Sequence, residues 1–267
     1  MVNKNVEIFV DTLSQVDEKY PIKAVNLRYY KGNLKRLPRA QKDDNIVLLQ
    51  QGTVEAGYHY AETSKVAILN FADALQCGGL VWIGETTQEE NICRCSNLYP
   101  YLDNDVSLAN YYKPNRQAVL ADSKEIYTDN IIYVKDAVVF KDDKTYEEVE
   151  PRKLDIITCP APSSQLGVSA MGIYCTRIEQ IVLSAIANDV KVLVLGAWGC
   201  GAFGQSPEDV ARAFSAVLKN YSGYFDKVVF AIRPTPAVAG TYSNYEIFKT
   251  VLREKFKAVA VGSESRF

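Results

Sequence analysis

Six short apolar runs, separated by stretches with helical periodicity, constrain this chain more than any other feature. They are IVLLQ (46–50), VAILNF (66–71), IIYV (131–134), LDIITC (154–159), KVLVLGAW (191–198) and KVVFAI (227–232). Several carry apolar residues on both faces, the pattern of strands covered by helices on two sides. Helical spacing appears at 3–19, through Val6, Phe9, Val10, Leu13 and Val16. It recurs at about 88–102, 106–122, 169–189, 207–220 and 243–256. Alternation of this kind predicts a three-layer α/β/α domain with a largely parallel sheet. Ligands in such sheets bind beyond the carboxyl ends of the strands, so the loops after VAILNF and KVLVLGAW are the places to look.

Composition removes whole classes of chemistry. At 267 residues, 48% hydrophobic and 23% charged, the chain is ordinary globular material. A formal charge of −2 gives no bulk attraction to nucleic acid or anionic lipid. The basic residues between 28 and 43 fit a polyanion contact less well than a solvated loop. No apolar run is long enough to span a bilayer and the N-terminus lacks a signal-peptide core, which predicts a soluble, cytoplasmic protein. The six cysteines form no C-x-x-C pair and read as buried thiols. Histidine is the most informative count: there is one, His59, in a polar stretch read as connecting chain. Histidine-based triads have almost nothing to draw on, and a multi-histidine metal site is impossible. An enzyme built on this sequence must work with carboxylates, amides and backbone N–H groups.

Two strand–loop–helix units carry candidate chemistry. In the first, VAILNF runs into a long loop holding Gly78, Gly79 and Gly84, then into a helix at Gln88-Glu89-Glu90. Thr87 with Glu90 three residues on is a capping box, and first-turn acids suit the helix dipole. A cap needs neither the long glycine loop with Trp82 and Ile83 nor two acids. Adjacent helical residues project about 100° apart, so two acids serving one ligand must divide the labour. In the second unit, Gly196, Gly199, Gly201 and Gly204 precede a helix with Ser206 as cap and Pro207 at its first position. That density favours a nest of N–H groups for an anion. No G-K-[ST] follows, and G-C-G-A-F-G comes too late in the chain for a dinucleotide fingerprint, leaving a nicotinamide enzyme as a third choice. TCPAPSSQ (158–165) reads as a stiff rim loop or a plain strand exit.

The run NFADA…CGGL…G…TQEEN.C.CSNLYPYL resembles the signature of microbial-type poly(ADP-ribose) glycohydrolases, in which a triple-glycine loop leads into Gln-Glu-Glu. LGAWGCGAFGQSPEDVA resembles the second diphosphate loop of that family, and TCPAPSS and VVFAI…Y…F also fit. The resemblance implies a macrodomain-like mixed sheet over residues 61–267 behind an N-terminal helical extension, 1–60. It implies cleavage of poly- or mono-ADP-ribose, without metal or cofactor, by a monomer. The partner is ADP-ribose or an ADP-ribosylated macromolecule, protein or nucleic acid, and no membrane is involved. By motif position Glu90 is the catalytic acid/base, Glu89 positions the proximal ribose, and Gln88 supports the loop. Asn70, Asp73 and Leu80 fall on the ligand side of the same unit. Gly78 and Gly79 wrap the diphosphate from one side, and Gly199, Cys200, Gly201 and Ala202 from the other. Phe203 packs on the distal ribose or adenine.

A carboxyl against Trp82 or Ile83, beside a second acid, is expected to bind its proton more tightly than usual. Three positions depart from the family pattern: Leu80 replaces the third glycine, Asp73 an asparagine, and Ile83 a small or polar residue. A Cβ at Leu80 limits positive φ and fills space beside the diphosphate. The alternatives are a reader that binds ADP-ribose without cleaving it, and an unrelated nucleotide-using enzyme.

Overall fold

The computed structural model describes residues 3–121, 127–163, 170–234 and 242–262. Its strands are β1 (Leu27–Tyr30), β2 (Ile46–Leu49), β3 (Val66–Phe71) and β4 (Ile131–Lys141). They continue with β5 (Glu148–Cys159), β6 (Val192–Leu195), β7 (Lys227–Ala231) and β8 (Val259–Gly262). All eight join one sheet in the order β1-β4-β5-β3-β6-β7-β2-β8. From β5 to β8 every neighbouring pair is parallel. Only β4 among the described strands runs the other way, antiparallel to both β1 and β5. The expected mixed sheet is therefore present, with the reversal confined to one side of it.

Period-two alternation sends neighbouring residues of one strand into separate cores. Ile46, Leu48, Leu69, Leu193 and Phe230 face α7 (Met171–Ala187), α8 (Pro207–Tyr221) and α9 (Asn244–Lys255). Val47, Ile68, Val194 and Val229 face the opposite layer. That layer holds α1 (Lys4–Lys19), α2 (Thr53–Tyr60), α3 (Gln88–Cys95) and α4 (Tyr99–Leu102). The short α5 (Asp105–Ser107), a π-turn at Leu108–Tyr112 and α6 (Lys113–Ala121) follow. Strands buried on both faces need both layers, which is why the apolar runs are nearly continuous.

The predicted helices at 3–19, 88–102, 106–122, 169–189, 207–220 and 243–256 all correspond to observed ones, though 122 and 169 lie outside the described residues. The 88–102 stretch breaks at Ser96, whose hydroxyl bonds back to the Ile92 carbonyl, and resumes as α4. Residues 1–60 are not purely a helical extension. After α1 they supply β1, β2 and α2, so the sheet does not divide at residue 60. His59 belongs to α2, not to a connecting loop; it is exposed and edge-on to Tyr60. The basic run is partly spent on tying the 28–43 stretch down. Arg36 pairs with Glu179 at 2.9 Å, Arg39 donates to the Lys219 carbonyl at 3.2 Å, and Arg28 reaches Asn188. No described helix is long and apolar enough to cross a membrane.

Helix α2 lies flat on β3 because Gly57 has no side chain. A Cβ there would come within 2.4 Å of Ile68 Cγ2 and 3.2 Å of Leu154 Cδ2. Gly57→Ala gains helix propensity but overpacks this contact, and we expect a net loss of about 1–2 kcal/mol, measured by denaturant unfolding.

Candidate functional site

A cavity of about 480 Å³ opens above the carboxyl ends of β2, β3, β6 and β7. The loop after β3 forms one wall. Asp73 opens it, its Oδ1 accepting from Leu75 N at 2.6 Å and Gln76 N at 3.0 Å, so the carboxylate is spent on a turn. Gly79 then takes φ +59°, and a Cβ there would sit 2.4 Å from Glu90 Oε1 and 3.2 Å from Glu89 Oε2. Both carboxylates thus crowd one Cα, and only glycine fits between them.

Glu90, only 4% exposed, is gripped through both oxygens: Oε1 accepts from Leu80 N at 2.9 Å and Oε2 from the Thr87 hydroxyl. The predicted capping box has a different form. Thr87 sits at the N-cap, but its side chain gives its hydrogen to Glu90 and accepts nothing from the helix. Glu89, also buried, accepts from Asn70 Nδ2 at 3.0 Å and from Asp73 N at 2.7 Å. Burial holds its carboxyl well above the ordinary glutamate range, and the nearby charges of Asp73 and Glu90 push the same way. The two hydrogen bonds only partly oppose this. Gln88 fixes the helix to the sheet. Its Oε1 accepts from Phe71 N at 2.8 Å, while Nε2 donates to the Leu69 carbonyl at 2.7 Å and Thr53 Oγ1 at 2.8 Å.

The loop after β6 forms the facing wall, with Gly199, Gly201, Ala202 and Phe203 lining the cavity. Gly199 takes φ +83°, and a Cβ would lie 2.2 Å from the Tyr174 hydroxyl. The N–H groups of Cys200, Gly204 and Gln205 close turns within the loop. Those of Gly201, Ala202 and Phe203 have no acceptor among the described residues, leaving three successive donors beside the cavity. Ser206 caps α8 by accepting from Asp209 N at 3.3 Å, as its sequence indicates.

Residues 11–142 match the family model of the microbial-type PARG catalytic domain. No curated relative matches the chain. Among solved structures, the poly(ADP-ribose) glycohydrolase of Thermomonospora curvata superposes with a TM-score of 0.80 at 25% identity, covering 92% of this chain and 98% of that one. The same enzyme bound to the inhibitor ADP-HPD gives 0.79 at 26% identity. The Deinococcus radiodurans enzyme in complex with ADP-ribose reaches 30% identity with a TM-score of 0.72, over 86% of this chain and 94% of that one. The chain belongs to the microbial-type poly(ADP-ribose) glycohydrolase family. It is a glycosidase of that type, with a macrodomain-like fold.

Most residues predicted for this glycohydrolase's site gather at the cavity: Asp73, Gly79, Leu80, Gln88, Glu89, Glu90, Gly199, Gly201, Ala202 and Phe203. Three do not line it. Asn70 is fully buried behind Glu89, Gly78 packs on the Tyr99 ring, and the Cys200 side chain packs toward the core. The two glycine loops also differ in what they offer. Gly79 N bonds to the Gln76 carbonyl at 3.3 Å and Leu80 N to Glu90, so the first loop's donors there are already used. Leu80 itself has φ −101°, a conformation any residue adopts, and its side chain is exposed at the mouth. Trp82 and Ile83 do not wall in the acids. Trp82 packs edge-on against Phe9 and Tyr99, and Ile83 is exposed. The group that binds its proton more tightly than usual is Glu89, and the cause is burial. Of the 158–165 loop, residues 164 and 165 lie outside the described residues.

Sequence reading missed the far rim of the cavity. Gln51, Gly52 and Thr53 follow β2, Ile232 and Arg233 follow β7, and Asn244 opens α9. Arg233 is fixed by Asp143 of the β4–β5 turn at 2.9 Å. The strand-end rule that singled out two loops applies equally to IVLLQ and KVVFAI, and it would have found all of these but Asn244.

Because Glu89 takes up a proton on folding, its contribution to stability is complete below the ordinary glutamate value of 4.5 and is lost as pH rises through its higher folded value. We expect Glu89→Gln to gain in melting temperature relative to the parent as pH is raised from about 5 to 8. Melting curves across that range check the trend, and a difference that stays flat contradicts it.

Proposed function

We propose that this glycohydrolase cleaves the ribosyl glycosidic bond of poly- or mono-ADP-ribose with Glu90 as acid and base, without metal. The observation carrying this is the Glu90 carboxyl, held at the cavity wall by a backbone N–H and a hydroxyl, across a cavity whose other wall carries three N–H donors without an acceptor among the described residues. The Deinococcus relative is seen in complex with ADP-ribose and the Thermomonospora relative with the inhibitor ADP-HPD, in matches that cover 86% and 92% of this chain. The diphosphate belongs against Gly201, Ala202 and Phe203, where unpaired N–H groups meet an anion at no conformational cost.

With the diphosphate there, the proximal ribose lies toward the paired acids. Glu90 passes a proton to the leaving oxygen as the bond from the ribose anomeric carbon to that oxygen breaks. Water then adds to the oxocarbenium-like carbon and returns a proton to the Glu90 carboxylate. The diphosphate's negative charge supports the developing cation. Glu89 works behind this step. With one oxygen on Asp73 N and the other on Asn70, it fixes the start of the loop on which the ribose rests.

Glu90→Gln keeps the shape of the side chain and removes the proton donor. We expect release of ADP-ribose to fall by about 10²–10⁴-fold, the usual contribution of general acid–base catalysis. ADP-ribose affinity by isothermal titration stays within a few-fold of the parent. Undiminished turnover rejects the assignment. A panel of ester-, serine-, arginine- and base-linked substrates, run with the parent enzyme, identifies the linkage.

A further inference from the structure

Both donors to Glu90 come from opposite ends of one segment, Leu80 N–H at its start and the Thr87 hydroxyl at its end. Between those ends, three consecutive carbonyls are each held by a side chain from outside the segment. Asn3 Nδ2 donates to the Ile83 carbonyl at 3.3 Å and Asn5 Nδ2 to the Gly84 carbonyl at 2.9 Å. Arg94 Nη2 donates to the Glu85 carbonyl at 2.7 Å. Phe9, fully buried on the helix that Asn3 caps and that carries Asn5, meets the Trp82 ring edge-on at 4.9 Å between centroids.

Helix α1 is itself anchored before it touches the segment. Lys141 Nζ lies 2.5 Å from Asp11 Oδ2 and 2.8 Å from Thr12 Oγ1, and Thr12 Oγ1 lies 2.7 Å from the Arg94 carbonyl. Arg94 is unusual in its own right. It is fully buried on α3, one turn after Glu90, and pairs with no carboxylate among the described residues. Its Nε and Nη1 have no described hydrogen-bond partner. An arginine in such a place costs stability relative to an apolar side chain. Its guanidinium lies over the Tyr146 ring, 5.6 Å from the centroid, and supplies the bond to the Glu85 carbonyl, at the point where the segment turns into α3.

We propose that Asn3, Asn5 and Arg94 are positioning residues for Glu90. They hold the back of the 80–87 segment so that its two ends stay on the carboxylate, which makes the N-terminal helix part of the hydrolytic machinery. The inference rests on Glu90 being the acid/base. None of the three lines the cavity, so their effect travels through the orientation of Glu90. It belongs in kcat, not in ligand affinity.

The test uses the full chain, with poly(ADP-ribose) as substrate and free ADP-ribose as binding probe. Asn3→Ala combined with Asn5→Ala removes both hydrogen bonds to the segment, together with the cap that Asn3 Oδ1 places on Asn5 N at 2.9 Å, and lowers kcat about five- to tenfold, with KM and ADP-ribose affinity within twofold of the parent. Asn3→Asp with Asn5→Asp keeps the shape but not the donors and shows the same loss. Arg94→Lys, which retains a charged donor, is compared with Arg94→Met; the first keeps more of kcat. Because Arg94→Met is at risk of misfolding, the two asparagines decide the question, with melting curves showing that the variants are folded. A kcat within twofold of the parent in the folded asparagine variants overturns the proposal, as does a loss matched by an equal loss in affinity. In a Glu90→Gln background the asparagine changes add no further loss. If Glu90→Gln is inactive and the asparagine variants are normal, only the positioning role falls. If Glu90→Gln turns over normally, the assignment of Glu90 falls and the positioning role with it.

Discussion

Two carboxyl groups, Glu89 and Glu90, come within 3.2 Å of the place where a Gly79 side chain would begin, and the cleft is organised around that crowding. Bringing two acids together under cover costs electrostatic free energy unless each oxygen is supplied with donors. The structure provides them from four places: Leu80 N and Thr87 for Glu90, Asp73 N and Asn70 for Glu89. Each donor is held in turn. Asn70 sits on a strand, Asp73 is locked in its own turn, and Leu80 and Thr87 are the ends of a segment braced from α1 and α3. Removing the side chain at 79 is what allows loop and helix to approach closely enough for all four contacts.

The sheet determines why this crowding lies beside a space fit for a long anionic ligand. Strands β3 and β6 are parallel neighbours, so their following loops rise from the same end and face one another. One loop is committed to holding acids, with its N–H groups at 79 and 80 already bonded. The other keeps three N–H groups that have no acceptor among the described residues. The paired acids and the donors for negative charge on a ligand are thereby separated to opposite walls. On the function proposed above, a diphosphate sits on the wall away from the acids, with its field still close enough to act on the sugar between them.

Strand cores and helix starts were readable because they depend on local pattern. VAILNF and KVLVL are apolar on both faces, and Ser206-Pro207 announces a helix. The misses share a physical cause in long-range pairing. LRYY, carrying Arg28 and two tyrosines, is a strand because β4 offers it a partner and the 28–43 stretch is tied down from outside. TVEAGYHY is a short helix with a weak apolar stripe, formed because Gly57 lets it lie on Ile68. The site shows the same division. Motif position brought Glu89, Glu90 and the second glycine loop to the cavity, whereas Arg233 is held there by Asp143, 90 residues away. The capping box misled in a useful way, because its residues were correctly paired but its hydrogen runs from threonine to glutamate.

Leu80 is where the departure from a triple-glycine loop has to be resolved, and the backbone resolves it. A third glycine would matter if the chain needed positive φ or a clear approach to a ligand at that position. Instead the loop takes positive φ at 78 and 79 and returns to −101° at 80. The job of residue 80 is to aim its N–H at Glu90, which any residue except proline can do. Its side chain then points to neither core and stands 41% exposed at the mouth. Substituting leucine for glycine there also narrows the unfolded ensemble, so the segment presenting that N–H loses less entropy when it orders. Leu80 thus keeps its N–H on the Glu90 carboxylate while its side chain lines the mouth of the cavity.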